Sequence, residues 1–141
     1  MKSLVDTNLL VYSFDVSEPA KHKQAVRIIR DLTESGDLVL SVQVLNELAS
    51  VALRKKNLFG KSLSQLGETI MSLAGMSQVL PLSPETTRSA LAAVERHQLS
   101  FWDALIWATA SAHGVPRILS EDFQHGRRVE GVEYINPLLG A

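Results

Sequence analysis

The sequence predicts an α/β protein in which a mostly parallel sheet is covered by helices. Short apolar runs alternate with longer segments of helical period along the whole chain, the pattern of strands followed by crossover helices. The 141 residues are 45% hydrophobic and 21% charged, a globular composition that excludes disordered and fibrous classes. That length suits one domain, residues 1–141, and no linker, internal repeat or low-complexity stretch divides it.

Ser3-Leu4-Val5 reads as the first strand, ending at Asp6, and Thr7 as the cap of a short helix carrying Leu9, Leu10 and Tyr12. Ser17-Glu18-Pro19 opens a longer helix, with Ser17 as cap and Pro19 in its first turn. Its stripe is Ala25, Ile29 and Leu32 with Ile28 beside it, and Gly36 ends it. Residues 37–41 form a second strand. It feeds a helix with Leu45, Leu48, Ala49, Ala52 and Leu53 on one face.

Ser62 to Gln65 has capping-box spacing and starts a helix with Leu66, Ile70 and Leu73 inward. Residues 78–80 make a brief strand, and Ser83-Pro84-Glu85 opens a helix burying Ala90, Leu91 and Val94. Ser100 caps a strongly apolar helix that runs to about His113 and stops at Gly114. Residues 117–119 and 131–135 complete the strands.

Charge and composition narrow the function. Fifteen acids face 14 Lys and Arg, a net charge of -1, so a bulk basic field for nucleic acid is absent and such contact needs a local patch. Without cysteine there is no disulfide, thiolate metal site or cysteine nucleophile. No signal-type apolar region precedes Asp6, and no run approaches the roughly 20 residues of a membrane helix. A soluble, cytoplasmic protein with no membrane contact is expected.

Most acids belong on the surface, but four sit in apolar surroundings where an isolated charge needs a partner. Asp6 closes the first strand, and Asp122 follows the Arg117-Ile118-Leu119 strand. Asp103 lies in the first turn of the apolar helix, where the dipole favours a carboxylate by about 0.3–1 kcal/mol. Glu47 is early in a helix that starts just after a strand. With parallel strands all four reach one sheet edge, where open α/β sheets bind ligands. Taken singly, each is also an ordinary cap, turn or surface acid, as Glu121 and Asp15 are expected to be.

Clustered carboxylates repel one another, and a hard divalent cation removes the conflict. All-oxygen ligands favour Mg²⁺ or Mn²⁺, and no histidine pair stands at zinc-ligand spacing. Such an ion supports phosphodiester hydrolysis without a protein nucleophile.

Four segments carry a resemblance to a known family. Val5-Asp6-Thr7-Asn8-Leu9-Leu10-Val11-Tyr12, Ser41-Val42-Gln43-Val44-Leu45-Asn46-Glu47, Phe101-Trp102-Asp103-Ala104-Leu105-Ile106-Trp107 and Leu119-Ser120-Glu121-Asp122-Phe123 resemble, in order, the motifs of the PIN-domain family. The likeness is closest to VapC-like toxin ribonucleases of toxin–antitoxin pairs. It implies a three-layer α/β/α fold, a Mg²⁺- or Mn²⁺-dependent endoribonuclease, a homodimer, and inhibition by a VapB-like antitoxin, with operator DNA in a larger assembly. By this resemblance Asp6, Glu47, Asp103 and Asp122 are the catalytic, metal-binding acids, for one ion or two.

Asn8 and Ser120 are candidates for orienting a carboxylate, water or phosphate; local capping is the competing role. RNA phosphates could meet Arg54, Lys55, Lys56, Arg127 and Arg128, with Lys21, Lys23 and Lys61 near them; the run from Arg54 to Lys56 equally suits a helix C-terminus. Trp102 and Trp107 read as core or dimer surface, and no histidine is assigned a catalytic role. Apolar residues from Leu63 to Met76 exceed one stripe, so either a partner covers some or they simply pack in the core.

Two rivals stand beside the ribonuclease. One is a catalytically silent PIN-fold module that grips RNA or protein. The other is a metal-dependent phosphatase with Asp6 as nucleophile; that scheme usually places a second Asp where this chain has Asn8.

Overall fold

The structure, a computed structural model, describes residues 1–55 and 62–139. In chain order the elements are β1 (Ser3–Val5), α1 (Thr7–Tyr12), α2 (Pro19–Ser35), β2 (Leu38–Ser41), α3 (Val42–Arg54), α4 (Leu63–Gly75), β3 (Gln78–Leu80), α5 (Pro84–His97), α6 (Phe101–Ala112), β4 (Arg117–Leu119), β5 (Arg128–Val129) and β6 (Val132–Ile135). The strands form one sheet in the order β3-β2-β1-β4-β6-β5. Four of its pairings are parallel, and only β5 with β6 is antiparallel. Helices flank this sheet, giving the expected three-layer α/β architecture.

The order of strands positions the site. From β1 the chain winds outward through β2 to β3, then returns to the other side of β1 as β4. The reversal puts a topological switch point at the carboxyl ends of β1 and β4, the place where doubly wound sheets bind ligands. Leu4 pairs with Ile118, and Ile118 with Tyr134, so these three share a row across the sheet. Asp6 and Ser120 lie two residues further along their strands, and the period of two turns them to the same face as that row.

Local chemistry explains the boundaries. Ser41, Ser62, Ser83 and Ser100 each accept a backbone N–H of the following first turn, and Ser62 with Gln65 completes a capping box. Gly36 ends α2 at φ 76°, left-handed backbone that suits glycine. Helix α6 is apolar nearly all round because it is buried nearly all round, from Ala104 to Ala110. Its Trp107 Nε1 donates to Val129 O at 3.0 Å, tying α6 to the β5–β6 hairpin.

Several expectations need correction. Asp6, not Thr7, caps α1: its carboxylate accepts the Thr7 N–H. Ser17 does not cap α2; it bonds Asp15, which is the expected turn residue, and Glu18 holds the cap position without a side-chain bond. Leu53 and Leu91 are exposed (50% and 59%), and Ala93 takes the inward place beside Ala90. Strand β5 has two residues, too short to show a pattern. Of the tryptophans, read as core or dimer surface, Trp107 is in the core as one of those readings has it, whereas Trp102 is 62% exposed. On α4, Leu66 and Leu73 face the core while Leu63, Met71 and Met76 are exposed. Among the described residues no helix is long and apolar enough to cross a membrane.

Candidate active site

Asp6 is where the sheet hands over to helix. Its N–H makes the last ladder bond, to Leu119 O at 2.9 Å, and its Oδ1 accepts the Thr7 N–H at 2.7 Å. Only 7% of the residue is exposed. Its other oxygen, Oδ2, accepts the Ser120 hydroxyl at 2.8 Å. Ser120 Oγ in turn accepts Asn8 Nδ2 at 3.3 Å and the Asp122 N–H at 3.1 Å. Ser120 thus joins the ends of β1 and β4 through its hydroxyl and also makes a local bond to the Asp122 N–H.

Glu47, half-buried on α3, accepts the Thr7 hydroxyl on Oε1 at 3.2 Å. Thr7 thus bridges two acids, its N–H on Asp6 and its Oγ on Glu47. Asp103 sits in the first turn of α6, partly exposed, and its charge acts on Glu47. Asp122 is exposed, and its charge acts on Asp6.

The electrostatics follow from burial. Desolvation is the main cause pushing the Asp6 carboxyl from 3.8 up to about 6; Ser120 and Thr7 oppose it, while Glu47 and Asp122 add to it. Burial also raises Glu47, against hydrogen bonds from Thr7 and Gln43, with Asp103 adding to the rise. These two acids hold their charge reluctantly.

The four acids are linked in pairs, Asp6 with Glu47 and with Asp122, and Glu47 with Asp103. Among the described residues no three of His, Cys, Asp and Glu stand close enough together to hold a metal ion. In kind the donors still suit a hard divalent cation. They are oxygen throughout, and Asn8 Oδ1 is buried beside them without a hydrogen-bond partner. Magnesium keeps several waters and takes one or two carboxylates, so pairs meet its demand. Asp6 with Glu47 or Asp122, and Glu47 with Asp103, are the residues that could hold it.

The basic candidates fare unevenly. Arg54 and Lys55 are exposed at the end of α3, and Lys55 helps Ser17 hold the Asp15 carboxyl low. Arg127 is committed to His97 O at 3.0 Å, and Arg128 pairs with Glu133 at 3.4 Å. Lys56 and Lys61 lie outside the described residues.

Sequence reasoning missed four participants. Thr7 and Gln43 both bond Glu47. Glu121, expected to be a plain turn acid, accepts the Tyr12 hydroxyl and the Lys21 ammonium, the latter at 3.2 Å. Tyr134 is fully buried with an unpartnered hydroxyl on the site's face of the sheet. The only signal for them was proximity in the sequence to one of the four candidate acids, and Tyr134 lacked even that.

With this geometry, the class is a mostly parallel α/β sheet carrying acids at its switch point. The family model for the PIN domain matches residues 3–130, and the chain belongs to that family. Three solved structures are similar. A toxin–antitoxin complex from Klebsiella pneumoniae is 19% identical, with 96% of this chain and 98% of that one covered and a TM-score of 0.66. VapBC2 from Rickettsia felis, bound to a DNA fragment from its promoter, is 17% identical, with 95% and 97% covered and a TM-score of 0.67. VapC20 of Mycobacterium tuberculosis, a toxin that cleaves the sarcin–ricin loop, is 20% identical, with 83% and 87% covered and a TM-score of 0.61. At these identities the likeness is one of fold. No curated protein matches the sequence significantly.

Proposed function

We propose that this chain is a metal-dependent endoribonuclease, the toxin of a toxin–antitoxin pair, which hydrolyses RNA phosphodiester bonds at the site around Asp6. The observation that carries the reading is the buried Asp6 carboxylate, ringed by hydrogen-bond donors and other acids and raised to about 6. A fold gains no stability from such a group, and perturbed acids in a cleft mark chemistry.

A bound Mg²⁺ or Mn²⁺ would supply a Lewis acid for a phosphate oxygen and a more acidic water. Pairs among Asp6, Glu47, Asp103 and Asp122 would hold it, directly or through water. Ser120 and Thr7 fix the Asp6 carboxylate in one orientation. In the arrangement where Asp6 and Asp122 hold the ion, Glu47 is the carboxylate left to accept a proton from the attacking water. Membership of the PIN family and the fold shared with VapC-type structures support the assignment, and by that likeness the proposed partners are a VapB-like antitoxin, a second copy of the chain and operator DNA. An RNA substrate puts the working protein in the cytoplasm. Residues 1–141 act as one domain in this reading.

Asp6→Asn and Asp103→Asn test it, each assayed for RNA cleavage with Mg²⁺ or Mn²⁺, for growth arrest on expression, and for metal uptake by calorimetry. Loss of cleavage, toxicity and metal binding with the fold retained is expected. The pairwise rather than threefold grouping of acids favours one alternative, the catalytically silent binding module. Unchanged toxicity in both variants would establish it.

A further inference from the structure

Nucleic acid must approach a site that is itself acidic, in a protein whose net charge is -1. Something local has to hold the phosphates. Of the basic candidates, Arg127, Arg128 and Lys21 are already engaged, and Arg54 and Lys55 stand exposed at the end of α3. A basic surface outside the site lies on α2.

His22, Lys23, Val26, Arg27 and Arg30 line a cavity of about 300 Å³ on the outer side of this helix. At 100° per residue they fall within one face, away from the buried stripe of Ala25, Ile29 and Leu32. Lys23 and Arg27 are exposed and have no acidic partner within salt-bridge distance among the described residues. Arg30 makes only a loose exposed contact with Asp31, at 3.7 Å. Unpaired cations aligned along a helix cost repulsion unless they serve an anion.

The stripe starts from the first turn of α2, and that turn touches the segments flanking the acids, though Lys21 does so from the side of the helix opposite Lys23. Lys21, in the same first turn, bonds Glu121, the chain neighbour of Asp122. The His22 ring bonds Tyr12 O at 2.9 Å, on the helix that Asp6 caps. From Lys23 to Arg30 the helix rises about 10 Å. Glu34, one turn further on, closes the row with the opposite sign.

We propose that Lys23, Arg27 and Arg30 form a phosphate track on α2 that carries the backbone of single-stranded RNA away from the acid site. The inference rests on the ribonuclease reading and names the surface that holds its substrate. Evenly spaced, sequence-blind cations suit a regular polyanion, and arginine planes can also stack on unpaired bases. No side chain here reads base edges. The track therefore contributes affinity and direction, not sequence choice.

The test is binding in EDTA, where cleavage is silent. A fluorescein-labelled uridine dodecamer is titrated against the full chain and against Lys23→Ala/Arg27→Ala/Arg30→Ala at several salt concentrations. Loss of three contacts should weaken binding at least about tenfold at low salt and flatten the log–log salt slope by about 2, at roughly 0.7 per phosphate on a single strand. The charge-preserving Lys23→Arg/Arg27→Lys/Arg30→Lys should keep both. Equal affinity and slope in the alanine variant overturn the track. So does a variant that keeps its RNA affinity while losing affinity for a poly-glutamate peptide, which would make α2 a seat for an acidic protein segment. If the unaltered chain binds RNA through these residues but cleaves none with Mg²⁺ or Mn²⁺, the nuclease reading fails and the track stands.

Discussion

The Ser120 hydroxyl donates to Asp6 Oδ2 at 2.8 Å, across 114 residues of chain. It also accepts from Asn8 Nδ2 and from the Asp122 N–H. A hydroxyl has one proton and two lone pairs, so all of its capacity is spent on the site.

Ser120→Ala should therefore disturb three groups at once. Asp6 Oδ2 loses its only side-chain donor, and its carboxyl rises further. Groups that orient metal-binding or reacting residues typically contribute 10- to 100-fold, so a loss of about that size in cleavage is expected. Leaving buried polar groups unpaired should also cost about 1–3 kcal/mol in denaturant titration. Ser120→Thr keeps the hydroxyl and should retain most activity. Equal activity of the alanine and threonine variants would remove Ser120 from the mechanism.

The raised Asp6 carboxyl makes stability depend on pH in an unusual direction. Its folded value is about 6 against an ordinary 3.8, so between those pH values the native state binds more protons than the unfolded one. Stability from this group is complete below about pH 4 and declines until the folded carboxyl has ionised near pH 6. The difference amounts to about 3 kcal/mol. Asp6→Asn removes the ionisation while keeping the shape. Metal-free thermal melts should show the variant more stable than the parent at pH 7–8, with the advantage vanishing toward pH 4. An advantage that stays constant with pH would show that Asp6 is not a buried, reluctant anion.

Tyr12 reaches Glu121 with its hydroxyl, and Lys21 completes the triangle at 3.2 Å from both. The three link α1, α2 and the segment between Ser120 and Asp122. The Glu121 bond is the main cause holding the Tyr12 phenol up. Tyr12→Phe should free that segment and lower cleavage several-fold, chiefly in kcat because Asp122 is displaced rather than lost. The stability change should stay near 1 kcal/mol, since the cluster is partly exposed and screened. A change in KM alone would instead place Tyr12 in substrate binding.

The parts of this architecture that were legible in the sequence are the local ones. Asp6, Glu47, Asp103 and Asp122 stand out because each interrupts an apolar run near a strand end or helix start. Ser62 and Ser83 announce their helices through capping residues. What could not be read depends on distant partners. The β1–β4 adjacency, which creates the switch point, joins segments more than a hundred residues apart. Glu121 looked like a turn acid because Tyr12 and Lys21 are remote in sequence. Leu53 and Leu91 fit a helical period but face outward, because the direction of a stripe is set by what packs against the helix. At α5 the smaller Ala90 and Ala93 allow the close approach to α6 that Leu91 would prevent.

Tyr134 offers the sharpest separation of structure from chemistry. It lies in the row with Leu4 and Ile118, fully buried, stacked on Phe123 with ring centroids 4.1 Å apart. Among the described residues its hydroxyl has no hydrogen-bond partner. Burial is the main cause that drives the phenol far above its ordinary value, and the charges of Asp103 and Asp6 reinforce this. An orphaned buried hydroxyl costs its desolvation without return, about 1–3 kcal/mol. Tyr134→Phe keeps the ring stack and removes that cost, so chemical denaturation should show the variant equal to the parent or more stable by about 1 kcal/mol. Assayed alongside, its RNA cleavage reports whether the hydroxyl serves the acids. A stable variant with reduced cleavage assigns it a role in the site, and a stable variant with full cleavage makes it packing alone. A destabilised variant would mean that the hydroxyl has a partner in solution, and that the row beneath Asp6 is held by a bond rather than by the ring.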